Sequence, residues 1–403
     1  MDTSLEGRDS GGSAGVLEEC VAGPSGTSAP SYKAPEPEWK NIHDPLSAAL
    51  HFRKKLLEEQ ERSRPLCFFV DLHDSVVDRN KSIVSFYKAP KVNWASPLHC
   101  TLEGDAAIGD GVNRHFISMS ICALQRGFHM NYGNTDVTLL FEGQPDHLVP
   151  CTSQVLVDSD LFLVAGRMVG HAFLHGGPAL SGISSAVVDV LFGASPETTT
   201  ITLEDCPDID QRLTISLLEG EKELSDEDKA AVWALADVWD LPGVLGRTAK
   251  QIKQFRKGIR ETGVWPLLTE RRDVVQLMYP RTKDAGVSPE ILLDQIVWPH
   301  ENTHDEEDDD EGYPLETKCR ISGFLRHFVE TASQQALKEL LRFWTGWEVL
   351  STDLQLEVVK SNAPKASTCF KCLRIPGHYT DYKDFSYNLQ ACIATCDTGF
   401  GLI

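Results

Sequence analysis

With 403 residues, 41% of them hydrophobic, and with 8 Trp and 17 Phe, the chain can bury two or three domain cores. Its formal charge of -21 repels a phosphate backbone and argues against general nucleic-acid binding. Eleven cysteines, an odd number without the spacing of a small disulfide scaffold, point to reduced thiols and a cytosolic or nuclear setting.

Residues 1–40 are rich in Ser, Gly and Pro, and are expected to form a disordered tail, because so few large apolar residues cannot offset the entropy of ordering. The chain opens without a basic segment or an apolar run, so no secretory signal is expected. Leu46, Leu50, Phe52, Leu56 and Leu57 then suggest a helix within 44–64. Segments 82–87 and 136–141 alternate like short strands, whereas 161–174, 226–240 and 245–261 are expected to be helical. The apolar stretch 161–174 is short and holds Arg167 and His171, so no membrane span is expected. Arg247, Lys250, Lys253, Arg256, Lys257 and Arg260 share one helical face, read first as solvated and otherwise as a surface for an acidic protein partner.

Residues 305–311 are an unbroken acidic run that self-repels and cannot enter a core, so they are expected to be a solvated connector. A calcium loop would need alternating ligands and a turn glycine inside the run. The expected organisation is therefore a larger unit at 41–300, an acidic linker and hinge at 301–318, and a smaller unit at 319–403. In the smaller unit, Ile321, Phe324, Leu325 and Phe328 form one helical face and Leu337, Leu340, Leu341 and Trp344 another, with Gly346 as the stop. Leu354, Leu356 and Val358 alternate like a strand, and Phe385, Leu389, Cys392, Ile393 and Cys396 suggest a last amphipathic helix. The fold class expected from this mixture is α+β, mostly helical with minor sheet.

Chemistry concentrates at Cys369. It follows a polar turn after Pro364 and is flanked by Lys365 and Lys371, whose charges favour the thiolate that attacks carbonyl and thioester carbons. The other reading is a small core hydrophobe, which suits Cys372 better. Cys369-x-x-Cys372 with Cys392-x-x-x-Cys396 has separations close to those of a zinc module, but Phe370 and Lys371 fill the turn where a knuckle carries Gly or Pro. The glycine-rich stretch 104–111 lacks the Lys-Ser or Lys-Thr of a phosphate loop, and neither His-Glu-x-x-His nor Gly-x-Ser-x-Gly occurs.

Four segments in order resemble the HECT family of ubiquitin ligases over about 66–403. Gly109-Asp110-Gly111-Val112-Asn113-Arg114-His115-Phe116 is similar to the family's Gly-Gly-Val-x-Arg-Glu-Phe signature, and Gly166-Arg167-Met168-Val169-Gly170 to its Gly-Arg-x-x-Gly helix. Leu340-Leu341-Arg342-Phe343-Trp344-Thr345-Gly346 resembles its helix ending in Thr-Gly, and Ser367-Thr368-Cys369-Phe370 with a terminal Gly399-Phe400-Gly401 resembles its catalytic end. The subgroup most resembled is that of the vertebrate cell-cycle, phase-specific HECT proteins. Asp110, His115 and Lys371 depart from the family's Gly, Glu and Asn, and the middle, 209–264, is short and divergent.

The resemblance implies a bilobal fold with a larger, mostly helical N-terminal lobe that binds a ubiquitin-conjugating enzyme and a smaller α/β lobe that swings on a hinge near 313–318. It implies ubiquitin, a conjugating enzyme and protein substrates as partners, with no cofactor or metal, and no nucleic acid or membrane among the partners. Cys369 would take ubiquitin as a thioester, Thr368 would orient the thiol, and Phe400 would help to place the acceptor or the donor ubiquitin. A non-catalytic scaffold of the same fold, binding ubiquitin or its conjugating enzyme, is the alternative.

Overall fold

The computed structural model describes residues 37–71, 73–103, 109–132, 136–219, 225, 229, 245–299 and 313–394. The expected tail at 1–40, except for its last residues, the helix at 226–240, the acidic run, Cys396 and Phe400 lie outside the described residues. Among the described residues no helix is long and apolar enough to cross a membrane.

Helix α1 (Pro45–Gln60) starts where expected, with Asp44 accepting the Ser47 N–H at 2.7 Å. Strands β1 (Leu66–Asp71) and β2 (Leu98–Glu103) pair in parallel across an intervening helix, α2 (Val76–Lys88). This corrects the strand expected at 82–87. Ser75 accepts the Asp78 N–H as a helix cap, and Asn80, Ile83, Val84 and Tyr87 form the buried side of a 3.6-residue repeat. The strand expected at 136–141 is likewise reduced, to a single bridge at Thr138 and the two-residue strand Phe141–Glu142 paired with Val149–Pro150. Sequence reading missed β1 and β2, although both bury alternate side chains.

Helix α3 (Asp110–Arg126) follows β2, and α4 (Leu161–Leu174) and α5 (Ala249–Glu261) cross at close range. The Gly-Arg-x-x-Gly repeat explains that closeness. A Cβ on Gly166 would meet the Gly258 Cα at 3.0 Å, and one on Gly170 would meet the Thr262 Cβ at 2.9 Å. Arg167, nearly buried, donates from Nη1 to the carbonyls of Tyr87 (2.6 Å) and Ala89 (3.2 Å), ending α2, while Nε and Nη2 both lie 2.7 Å from Glu261. On the basic face of α5, Arg256 Nε donates to the Leu191 carbonyl at 2.6 Å and Arg260 lies over Trp265, so these two cations serve the fold.

A fully buried His171 accompanies this core, with its Nδ1 2.9 Å from the Tyr87 hydroxyl and its ring against Trp94 and His175. Burial, helped by His175, holds the His171 pKa well below its ordinary value, and burial lowers His175 too. The unfolded chain takes up these protons near pH about 6.5 and the folded chain resists them, so their stability contribution is full above that pH and is lost on acidification. Each histidine is expected to remove up to about 1.4 kcal/mol per pH unit below about 6.5. Urea midpoints measured at pH 7.5 and 5.5 should therefore fall with acid; an unchanged midpoint contradicts neutral burial.

Two hydrophobic clusters form, one drawn from Trp39 to Tyr279 and the other from Val287 to Ile393. The second holds α6 (Pro289–Asp294), β3 (Ile296–Val297), α7 (Leu315–Thr331), α8 (Gln334–Thr345), β4 (Leu354–Val359), β5 (Lys365–Ser367), β6 (Cys372–Pro376) and α9 (Tyr382–Ala394). Val287, Leu292 and Ile296 thus pack with the C-terminal elements although they precede the acidic run. The sheet order is β3-β4-β6-β5, with β3–β4 and β4–β6 parallel and β5–β6 antiparallel. Gly346 ends α8 in the left-handed region at φ 90°, as the sequence suggests.

Candidate active site

Cys369 sits at the tip of the β5–β6 hairpin. Ser367 pairs with Cys372, so Thr368, Cys369, Phe370 and Lys371 form the connection, with a single 3-10 turn at Thr368–Phe370. Lys371 closes it in the left-handed region at φ 51°, its N–H donating to the Thr368 carbonyl at 3.3 Å. Asparagine visits that region more readily than lysine, which accounts physically for the residue of the resembled motif. Lys371 Nζ donates instead to the Thr352 carbonyl at 3.1 Å, and Lys365 is exposed.

The hairpin tip is anchored from below by α8. Trp344, wholly buried, donates its Nε1–H to the Lys371 carbonyl at 2.8 Å, and that same residue's carbonyl also accepts the Gln355 N–H at 2.8 Å. Both bonds hold the connection rigid while leaving Cys369 and Phe370 at the surface, Phe370 79% exposed. The two cysteines of the pair are therefore unlike. Cys372 is buried, and burial with the carboxylate of Glu357 beside it pushes its thiol up to about 11. That is the setting of a structural cysteine.

The N-terminal end of α3 meets the tip from the other side. Gly109 begins the helix at φ 95° with no side-chain cap, and a Cβ placed on it would lie 3.6 Å from the Cys369 Sγ. A Cβ on Gly111 would come within 2.9 Å of the Thr368 Cβ and 3.2 Å of the Cys369 backbone N, so this second glycine allows the connection to seat. Gly346 completes the seat, because a Cβ there would lie 2.7 Å from the Gly111 carbonyl oxygen. The end of a helix that presents unsatisfied N–H groups stabilises negative charge placed against it.

Arg114, one turn along α3, donates from Nη2 to the Thr368 carbonyl and lies 5.6 Å over the Trp347 ring. Burial lowers its pKa from the ordinary value, and the neighbouring Asp110 and Cys369 pull the other way. Three of the four motif segments singled out in the sequence thus converge here: Gly109–Arg114, the end of α8 with Gly346, and Thr368–Cys369. The fourth, around Arg167, builds the first core. The contact of Arg114 with Thr368 spans 254 positions of sequence, so sequence reading found the residue only as part of a motif and not by its role. Trp344 appears in that reading through apolar periodicity and a family motif, without its bond to the tip, and Trp347 not at all.

No group of three or more His, Cys, Asp or Glu among the described residues could hold a metal ion. The arrangement offers nucleophilic chemistry at an accessible sulfur, on a rigid tip, beside a helix end and a guanidinium.

Residues 244–403 match the family model described as HECT-domain (ubiquitin-transferase). That span includes Cys369 and its hairpin, and stops short of the α3 seat. No curated protein matches the chain.

Proposed function

From the HECT domain that the chain carries in residues 244–403, we propose a ubiquitin transferase that receives ubiquitin on Cys369 as a thioester and passes it to a substrate lysine. The observation that carries this reading is an exposed cysteine at a fixed hairpin tip within the matched domain, seated by Gly109 and Gly111, while its neighbour Cys372 is buried. In the first step the Cys369 thiolate attacks the thioester carbonyl of the charged conjugating enzyme; the new C–S bond forms, the old one breaks and that enzyme's thiolate leaves. In the second step a lysine amine attacks, the C–N bond forms, the C–S bond breaks, and the proton shed by nitrogen is returned to the departing Cys369 thiolate. Exchange between thiolates has little driving force, so the protein's task is positioning.

Under this reading the larger lobe would be 41–300 and the smaller 319–403, with the acidic linker and hinge at 301–318; the packing of Val287, Leu292 and Ile296 in the C-terminal cluster favours a smaller lobe that starts near 287 instead. The conjugating enzyme would dock on the larger lobe. Thr368, whose carbonyl Arg114 holds, fixes the backbone on which the thiol rides. Phe400 would help to place ubiquitin, and Phe370, so far exposed beside the thiol, supplies an apolar contact for an incoming protein. The setting is cytosolic or nuclear.

Single-turnover reactions with a panel of charged conjugating enzymes, resolved on non-reducing gels, test the proposal. A reducible ubiquitin adduct is expected in wild type and in Cys372→Ala and absent in Cys369→Ala. An adduct that survives Cys369→Ala, or none across the panel, overturns it.

A further inference from the structure

We infer that a cleft of the first core receives a segment of a partner protein in which a large apolar side chain is flanked by lysine or arginine. The inference stands independently of the thiol chemistry. A cavity of about 950 Å³ opens between the helix Ser185–Leu191 and the stretch 272–284, with Asp146 and His147 also in its wall.

The buried part of that wall is apolar with one exception. Ile183, Phe192 and Val275 are joined there by Tyr279, 8% exposed, whose hydroxyl has no hydrogen-bond partner among the described residues. Leaving such a group unbonded is costly, so the cleft calls for an occupant that is apolar yet brings a hydrogen-bonding atom to its depth. A hydrocarbon chain leaves the phenol unbonded. A peptide carries a carbonyl beside every side chain, so an apolar residue can fill the cleft while its backbone accepts the Tyr279 O–H.

The charges of the wall select what flanks that residue. Asp146, Asp189 and Asp284 outnumber Arg272 and Arg281. Asp146 accepts the Thr282 N–H at 2.6 Å and the Thr282 hydroxyl at 2.9 Å, and these bonds, with Arg281 and His147 near, hold its carboxyl below the ordinary pKa. His147 is itself matched by Asp205 at 2.8 Å. Arg272 donates to the Phe192 carbonyl at 2.5 Å and lies 5.0 Å over that ring. Asp189 and Asp284 are exposed, one on the helix and one on the facing stretch, and their negative charge is reinforced by the -21 of the whole chain. An acidic segment is repelled and a basic one drawn in.

The test pans a library of short random peptides, displayed on phage, against the immobilised full chain. The library is first depleted on the chain carrying Asp189→Asn with Asp284→Asn, which removes peptides bound elsewhere; both positions are exposed, so the fold tolerates the changes. Recovered peptides should carry a large apolar residue next to lysine or arginine. In fluorescence anisotropy they should bind the double variant at least about threefold more weakly than wild type. They should bind Tyr279→Phe about tenfold more weakly, because that change keeps the ring and removes the hydrogen bond to the occupant. Thermal unfolding of each variant confirms that it is folded. No enrichment over the double variant, recovered peptides without the apolar and basic pair, or peptides that bind Tyr279→Phe as they bind wild type overturn the inference.

Discussion

Gly111→Ala is expected to leave the protein folded and to slow transfer from Cys369 about 100-fold. The added methyl favours helix by up to about 1 kcal/mol, so any loss of activity cannot be ascribed to a weakened α3. Its new Cβ meets the Thr368 Cβ at 2.9 Å and the Cys369 backbone N at 3.2 Å, and a rotation of the Thr368 side chain relieves neither contact fully. The hairpin tip must shift, and a misplacement of about 1 Å at a reacting centre costs about 100-fold. Gly346 opposes any retreat, since it is itself packed on the Gly111 carbonyl. Single-turnover discharge of the loaded thioester, read beside thermal unfolding, gives both quantities. Wild-type discharge in Gly111→Ala would show that the seat on α3 plays no part in transfer.

The second large effect falls on stability. Trp344→Ala should destabilise the C-terminal core by about 3–5 kcal/mol, the range for emptying a buried aromatic site. Trp344 is fully buried with Leu340, Leu341, Leu356 and Leu373 in the same cluster, and its Nε1–H satisfies the Lys371 carbonyl at 2.8 Å. Trp344→Phe separates the two contributions. It keeps most of the volume and removes the hydrogen bond, so about 1 kcal/mol of stability should go, with a looser thiol connection as the functional cost. Guanidinium unfolding of both variants decides this; equal midpoints for Ala and Phe would mean that the bond, not the packing, holds α8 to the sheet.

Helices whose apolar side repeats strongly were legible from the residues themselves. Leu161–Leu174 matches the expected span, and Leu337, Leu340, Leu341 and Trp344 occupy the buried side of α8. The segment around Phe86 misled because Ile83, Val84 and Tyr87 are also spaced by three and four, and the cap at Ser75 lies outside the stretch that looks like a strand. Short parallel strands such as β1 and β2 depend on partners that are far apart in sequence, Leu66 on Leu98, and carry little local signal.

The thiol was legible and its surroundings were not. Cys369 stands out through its turn and flanking lysines, but the structure turns Lys371 away to Thr352 and puts Gly109, Gly111 and Arg114 beside the sulfur instead. Those residues lie some 250 positions upstream, and only the resemblance to a family motif marked them. The acidic run looked like the domain boundary because charge cannot enter a core. Packing of Val287, Leu292 and Ile296 into the C-terminal cluster depends on the sheet that Leu354 forms with Ile296, which periodicity before the run does not reveal.

The most direct measurement of the central claim is intact mass and chemical stability of the ubiquitin adduct in Cys369→Ser. An oxygen nucleophile at that position traps the transferred acyl group as an ester, so the adduct should carry one ubiquitin, resist thiol reductant and be cleaved by hydroxide, while the wild-type adduct is cleaved by thiol. An adduct of Cys369→Ser that remains reducible by thiol would place the thioester on another cysteine and contradict the account.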